Sequence, residues 1–250
     1  MSNINSSYID KILRGEPKAV ARVISLIENG TDDYQKFLLN LPQNNVTVIG
    51  ITGPPGAGKS TITDLLVGHL KKEHEKIAVL CVDPSSPFSK GALLGDRVRM
   101  SKWYNDPNVF IRSMATRGSF GGLHPKISEI TQLIKATPTD MIIVETVGVG
   151  QSEVAIADLA DVTIVVLVPE AGDDIQVMKA GLMEIADIFV VNKCDRPDAE
   201  QFVMNLEMMR TYGKEGDNIP VIKMIATEQK GIEELVSAIN KKFTEKNMGK

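Results

Sequence analysis

The sequence predicts an α/β fold, a mostly parallel sheet with helices on both faces and a helical arm in front of it. Seven short β-branched or aliphatic runs, at about 46–51, 77–82, 109–113, 140–145, 162–168, 188–192 and 220–225, alternate with segments of helical character. A glycine-rich loop at 53–60 joins the first run to the helix after it, and strand ends of this kind carry ligands in open α/β sheets. A hydrophobic content of 43% over 250 residues suffices for a core on both sheet faces. Two units are expected, a helical extension over 1–45 and the sheet-bearing domain over 46–245.

Up to about Leu41 the chain reads as helical. Pro17 can open a helix whose Val20, Val23, Ile24 and Ile27 form one apolar stripe, and Gly30 ends it. Such a stripe packs on the domain that follows. Val46-Thr-Val-Ile-Gly-Ile51 then reads as a buried strand, and Thr61-Ile-Thr-Asp-Leu-Leu-Val67 as the start of a helix.

Between these two lies Gly53-Pro-Pro-Gly-Ala-Gly-Lys59-Ser60, which matches G-x-x-x-x-G-K-[ST], the phosphate-binding P-loop. Gly53, Gly56 and Gly58 let the backbone turn around Ala57, so that successive N–H groups point at a phosphate chain. The helix N-terminus at Thr61 adds its positive dipole end. Lys59 can reach the β- and γ-phosphates, and the Ser60 hydroxyl can ligate Mg²⁺. All four fixed positions and both flanks agree, which a chance Gly/Pro turn does not explain.

The second run ends at Asp83, and a Pro/Ser/Gly loop leads to Asp96. The two acids can complete a Mg²⁺ shell through water. They can equally form an Asx turn and a helix N-cap, and spacing leaves both open. The run at 140–145 ends in Glu145, with Gly148 three residues on. Glu145 suits a role near Mg²⁺, directly or through water, and the Gly148 N–H can detect a γ-phosphate. Lys59, Glu145 and Gly148 are thus the catalytic candidates. Ras-type enzymes carry a water-orienting Gln directly after this Gly. Here Val149 takes that place and Gln151 lies further on, so intrinsic hydrolysis is expected to be slow and to depend on a partner.

The run at 188–192 delivers Asn192-Lys193-Cys194-Asp195, an N-K-x-D pattern, to a strand's C-terminal end. Asp195 can accept from guanine N1–H and its exocyclic amine. Adenine would leave that carboxylate unpaired, at ~1–3 kcal/mol or more. The Lys193 stem can lie along the base, and the Asn192 amide can brace neighbouring loops. Ala226-Thr227, after the last run, can offer a backbone N–H to the guanine carbonyl, and Gly231 to Lys242 reads as the closing helix. Arg97, Arg99, Arg112 and Arg117 gather in the middle third. One could act as an arginine finger, but surface or interface roles are the commoner use, and none is assigned a catalytic part.

A net charge of −4 gives no electrostatic footprint for nucleic acid. The apolar runs are of strand length, and the start Met1-Ser-Asn-Ile-Asn-Ser-Ser lacks a signal-peptide form. Cys81 and Cys194 fit reduced thiols of a cytoplasmic protein used in packing, and His69, His74 and His124 make no metal spacing with them.

Beyond these patterns stand longer ones: G-I-T-G-P-P-G-A-G-K-S-T, V-D-P-S-S-P-F, G-A-L-L-G-D-R-V-R-M, F-I-R-S-M-A-T-R-G-S-F-G-G-L, E-T-V-G-V-G-Q-S-E, P-E-A-G-D-D-I-Q-V-M-K-A-G-L-M-E-I-A-D and N-K-C-D-R-P. Together, over about Ile49 to Pro197, they resemble the MeaB, ArgK or MMAA GTPases that accompany adenosylcobalamin-dependent acyl-CoA mutases, within the SIMIBI class of P-loop GTPases. The resemblance implies a GTP-driven chaperone, using GTP/GDP and Mg²⁺, that guards cofactor loading and integrity of a methylmalonyl-CoA mutase type partner. It also implies three switches, at Asp83 to about Asp96, Glu145 to Glu153, and about Pro169 to Lys179. Read alone, Gly172-Asp173-Asp174 in the third is a helix cap. The family continues past this point with a helical C-terminal arm used for dimerisation, and this sequence ends at Lys250, so a homodimer stays open. No D-x-H-x-x-G surrounds the histidines, which argues against cobalamin held by this chain itself. Two other readings compete: a P-loop small-molecule kinase, opposed by N-K-x-D, and a metallocentre-insertion GTPase, opposed by the lack of Cys/His clusters.

Overall fold

The computed structural model describes residues 6–31, 34–83, 100–116, 122–148, 153–169, 181–211 and 219–248. Helices α1 (Ser6–Leu13), α2 (Pro17–Glu28) and α3 (Tyr34–Leu39) precede β1 (Thr47–Thr52), α4 (Lys59–Leu70) and β2 (Ile77–Asp83). A 3-10 turn (Ser101–Trp103), β3 (Val109–Ala115), α5 (Ile127–Lys135) and β4 (Met141–Glu145) come next. Then follow α6 (Glu153–Leu159), β5 (Val162–Leu167), α7 (Leu182–Ile185) and β6 (Ile188–Val191). The chain closes with α8 (Ala199–Thr211), β7 (Val221–Lys223), a second 3-10 turn (Ala226–Glu228) and α9 (Ile232–Met248).

The seven strands form one sheet in the order β3-β2-β4-β1-β5-β6-β7, and each neighbouring pair is parallel. Strand order reverses at β1, so the crevice beyond its C-terminal end is the place where an open sheet of this kind takes a ligand. The P-loop occupies that crevice.

Side chains alternate across the sheet, and both faces are covered, so the strands read as unbroken apolar runs. Val48, Ala78, Leu80, Ile142 and Val144 face α2, α3 and α5. Ile49, Ile51, Val79, Cys81, Ile143 and Ile164 face α4 and α9. Beyond β5, Val165, Leu167, Phe189 and Val191 lie under Leu182 of α7 and Phe202, Val203 and Leu206 of α8. Each such Val, Ile, Leu or Phe contributes about 1.5–3 kcal/mol by leaving water.

The arm shares that core. Pro17 starts α2, Gly30 follows it at φ +61°, and Ala19, Val20, Val23, Ile24 and Ile27 are buried with the sheet residues of the first face. Arg112, on edge strand β3, reaches back to this helix. It forms an ion pair with Glu28, and its Nη2 lies 3.4 Å from the Ser25 hydroxyl oxygen. Arg112 therefore braces the arm and is not a finger at the phosphate site. Arg97, Arg99 and Arg117 lie outside the described residues.

Several boundaries differ from expectation, most of all at the C-terminal end. The last strand covers 221–223: the Met224 N–H still donates to the Val191 carbonyl (2.8 Å), and the chain then turns away to close a small bridge between Ile225 and Lys230. Helix α9 runs past Lys242 to Met248. No Gly or Pro interrupts it, and Lys246 fixes its end by donating to the Asp161 carbonyl (2.6 Å) and pairing with Asp187 (2.9 Å).

On the outer side of α4, the Trp103 indole N–H donates to Asp64 (2.7 Å). The ammonium groups of Lys71 and Lys102 lie 5.5 and 4.9 Å from its ring centroid. Lys71 also pairs with Asp106, whose carboxyl is held below the usual carboxylate range by that hydrogen bond and by the Asn108 N–H. Among the described residues, no helix is long and apolar enough to cross a membrane.

Candidate functional site

Helix α4 begins at Lys59, two residues earlier than the sequence suggested, with Gly58 before it at φ +92°. A side chain at Gly58 would meet more than backbone strain, since its Cβ would lie 2.3 Å from the Asn192 amide nitrogen. Lys59 is buried, and its ammonium is folded back on the loop. It donates to the carbonyls of Gly53 (2.8 Å) and Pro54 (3.0 Å), with the Val147 carbonyl at 3.5 Å. These are the contacts a phosphate chain would replace, because a phosphate oxygen is a stronger acceptor for an ammonium than a carbonyl is.

Glu145 closes β4 beside Ile51 of β1. It is 2% exposed, and two hydroxyls of α4 hold its carboxylate: Ser60 donates to Oε1 at 2.7 Å, and Thr63 lies 2.8 Å from Oε2. Thr146 ties the next residue to β1, through its N–H to the Ile51 carbonyl (3.0 Å) and its hydroxyl to that of Thr52 (3.0 Å). Gly148 then passes over the P-loop at φ +83°. A Cβ there would lie 2.1 Å from the Gly53 carbonyl oxygen and 2.6 Å from Lys59 Nζ, so only glycine permits the approach. Val149 and Gln151 lie outside the described residues.

Asp83 is buried at the end of β2, the strand beside β4, two positions beyond the Cys81 that pairs with Glu145. Asp96 lies outside the described residues, as do Gly172, Asp173, Asp174 and Lys179 of the third expected switch. Among the described residues, no three His, Cys, Asp or Glu side chains gather as a metal cluster. The oxygen donors at this sheet end, Ser60, Glu145 and Asp83, have the hard character that Mg²⁺ prefers.

Across the crevice, Asn192 directly follows β6 and is buried. Its Nδ2 donates to the Ala57 carbonyl (2.8 Å), and its Oδ1 accepts from the Ala226 N–H (3.1 Å). One amide thus joins the P-loop, the N-K-x-D loop and the last loop. That bond engages the Ala226 N–H, so a guanine carbonyl would have to use Thr227, which is exposed. Lys193 stands at φ +61°, and Asp195 is exposed to solvent. Between them, burial pushes the Cys194 thiol above its ordinary range, partly offset by the backbone contact with Met224. Its Sγ lies 3.1 Å from the Val191 carbonyl.

Sequence reasoning missed Thr63 and the Thr52–Thr146 pair. Thr63 could have been found as the residue one turn after Ser60 on the same helix face. A separate cavity of about 490 Å³ lies at the other end of the sheet, against Val20, Lys76, Phe110 and Pro138, and touches none of these groups.

A parallel sheet with a P-loop at its switch point, joined through one asparagine to an N-K-x-D loop, defines the class of the P-loop GTPases. Within that class, residues 20–249 match the family model Methylmalonyl Co-A mutase-associated GTPase MeaB, and the chain belongs to that family. A Pyrococcus abyssi protein named as a GTPase is 46% identical over 248 residues, covering 96% of this chain and 76% of that protein. The mouse methylmalonic aciduria type A homolog, mitochondrial, is 39% identical, covering 94% of this chain and 63% of its own length. A crystal structure described as LAO/AO transport system kinase superimposes with a TM-score of 0.73 at 29% identity, over 97% of this chain and 77% of that one.

Proposed function

We propose that this GTPase binds GTP with Mg²⁺ and acts as a chaperone for an adenosylcobalamin-dependent acyl-CoA mutase, guarding its cofactor loading and integrity. The nucleotide half of this reading is carried by one observation, the packing of Gly148 against both the P-loop carbonyl of Gly53 and the ammonium of Lys59. The mutase half is supported by the family's description and by the mouse relative's name.

In this reading Lys59 leaves the Gly53 and Pro54 carbonyls for the β- and γ-phosphates. The cradle of Gly53, Gly56, Ala57, Gly58 and Thr61 supplies N–H groups to the remaining oxygens. Ser60 is the hydroxyl that ligates Mg²⁺, with Glu145, Asp83 and Asp96 as its acidic surroundings. The bound ion neutralises charge that develops on the phosphates. The Gly148 N–H meets the γ-phosphate, and the segment after it takes up the nucleotide state. Asp195 accepts from guanine, the Lys193 stem covers the base, and Thr227 donates to its carbonyl.

The test joins product analysis to partner capture. GTP turnover to GDP and phosphate should be slow in the isolated protein and faster with the cognate mutase, and the two should co-purify. Phosphoryl transfer to a metabolite is the second reading, and the solved structure described as a transport system kinase favours it only as far as that word goes. A phosphorylated metabolite in place of free phosphate would establish it, and turnover indifferent to every mutase would remove the chaperone role.

A further inference from the structure

Thr63 is fully buried in the second turn of α4, and its hydroxyl has one proton and two acceptors in reach. The Lys59 carbonyl, one turn back, lies at 3.0 Å, and Glu145 Oε2 lies closer, at 2.8 Å. Helical threonines commonly bond to the carbonyl four residues earlier, so the first contact alone means nothing. The second is different, because it links two elements 82 residues apart at the end of the sheet that carries the P-loop.

Residues 60 and 63 share one helix face, and each takes one oxygen of the same carboxylate. A carboxylate gripped at both oxygens has a fixed plane, whereas one gripped at a single oxygen can rotate. Ser60 spends its only proton on Oε1, which leaves its lone pairs as the atoms a cation can use. Its donor bond to a carboxylate also makes that oxygen a better ligand, as second-sphere partners do at metal sites.

We infer that Thr63 is a positioning residue for the metal side of the site: it sets the Glu145 carboxylate, which in turn aims the Ser60 hydroxyl at Mg²⁺. The inference rests on the proposed role of Ser60. Thr63→Val keeps the shape and apolar bulk of the side chain and removes the hydroxyl, while Thr63→Ser keeps the hydroxyl.

The experiment is an equilibrium titration of Mg²⁺ against each variant with a fluorescent, non-hydrolysable GTP analogue, alongside binding of the same analogue in excess EDTA. Loss of an outer-sphere partner typically weakens a metal site by about 10- to 100-fold. Thr63→Val should raise the Mg²⁺ midpoint by that order, leave binding in EDTA unchanged, and be matched by Ser60→Ala. Thr63→Ser should behave as the parent protein does. An unshifted midpoint in Thr63→Val beside a shifted one in Ser60→Ala overturns the role of Thr63 alone. An equal loss of analogue binding with and without Mg²⁺ overturns it too, because it marks a general defect of α4. An unshifted midpoint in Ser60→Ala removes the metal reading itself, a distinct result.

Discussion

The phosphate side and the base side of the crevice are built on opposite terms. On the phosphate side, Lys59, Ser60 and Glu145 are 7%, 5% and 2% exposed, and the protein's own carbonyls and hydroxyls already occupy them. On the base side, Asp195 and Thr227 face solvent and Lys193 is half-buried. A triphosphate must therefore exchange partners with groups that are already satisfied, while guanine meets groups that water covers. In the proposed reading, exchange among buried groups would make the stronger, charge-assisted contacts. The open side would decide between bases, because a mismatched base would leave Asp195 unpaired.

Lys59→Ala is the severest way to break this division. It removes a buried cation that several phosphate oxygens would share, each charge-assisted bond being worth about 1.5–3 kcal/mol, so triphosphate affinity should fall by ~100-fold or more in calorimetry. Near-parental affinity would mean that the loop alone carries the phosphates. Asn192→Ala comes next, because it cuts the one amide that joins the two sides. Two buried hydrogen bonds are lost and the Ala226 N–H and Ala57 carbonyl are left behind, so thermal unfolding should report a loss of about 2–4 kcal/mol. Affinities for GTP and for guanosine should both fall. A variant that lost only the triphosphate would show that the sides do not communicate through this residue.

Asp195→Asn should act on choice alone. GTP should weaken by ~1–3 kcal/mol, and xanthosine triphosphate should gain, because the amide offers a donor where xanthine has a carbonyl. Equal binding of ATP and GTP by the parent protein would sink the assignment. The smallest effect sharpens the comparison without any substitution. Burial raises the Cys194 thiol's pKa, so less of it is thiolate at neutral pH than in a free thiol. Alkylation should be slow near pH 7 and accelerate only as the pH passes the ordinary thiol range, and bound GDP should slow it further. Cys81, inside β2, should not react in the folded protein.

Much of this was legible before the structure. The strands and the P-loop could be read because β-branched runs punctuated by Gly and Pro leave few alternatives, and because Glu145 and Asn192 sit at strand ends. The Asn192 bridge was foreseen in kind, as a brace between loops, but its partners were not. That the Ala226 N–H is consumed by it depends on how two loops meet across the crevice. Thr63 lies one turn after Ser60 on the same helix face, yet a threonine in an apolar helix reads as packing until the neighbouring strand brings Glu145 opposite it. Arg112 could be placed neither at the phosphates nor at the arm, since its partner Glu28 lies 84 residues away and on another layer. The end of α9 was misjudged because Lys246 gains its hold from Asp161 and Asp187, which only the folded sheet brings under it.

The seat of Trp103 has a practical consequence. It is the sole tryptophan of the chain, and two ammonium groups and one carboxylate of its surroundings govern the field across the indole. Asp64 and Lys71, on α4 and at its end, belong to the same rod that starts with Lys59 and Ser60. A tilt of that rod on phosphate binding that moves these charges relative to the ring should shift the emission of Trp103, which stopped-flow fluorescence on GTP addition would read without a label. An emission unchanged by GTP would mean that the ring and its charges travel with α4 as one body.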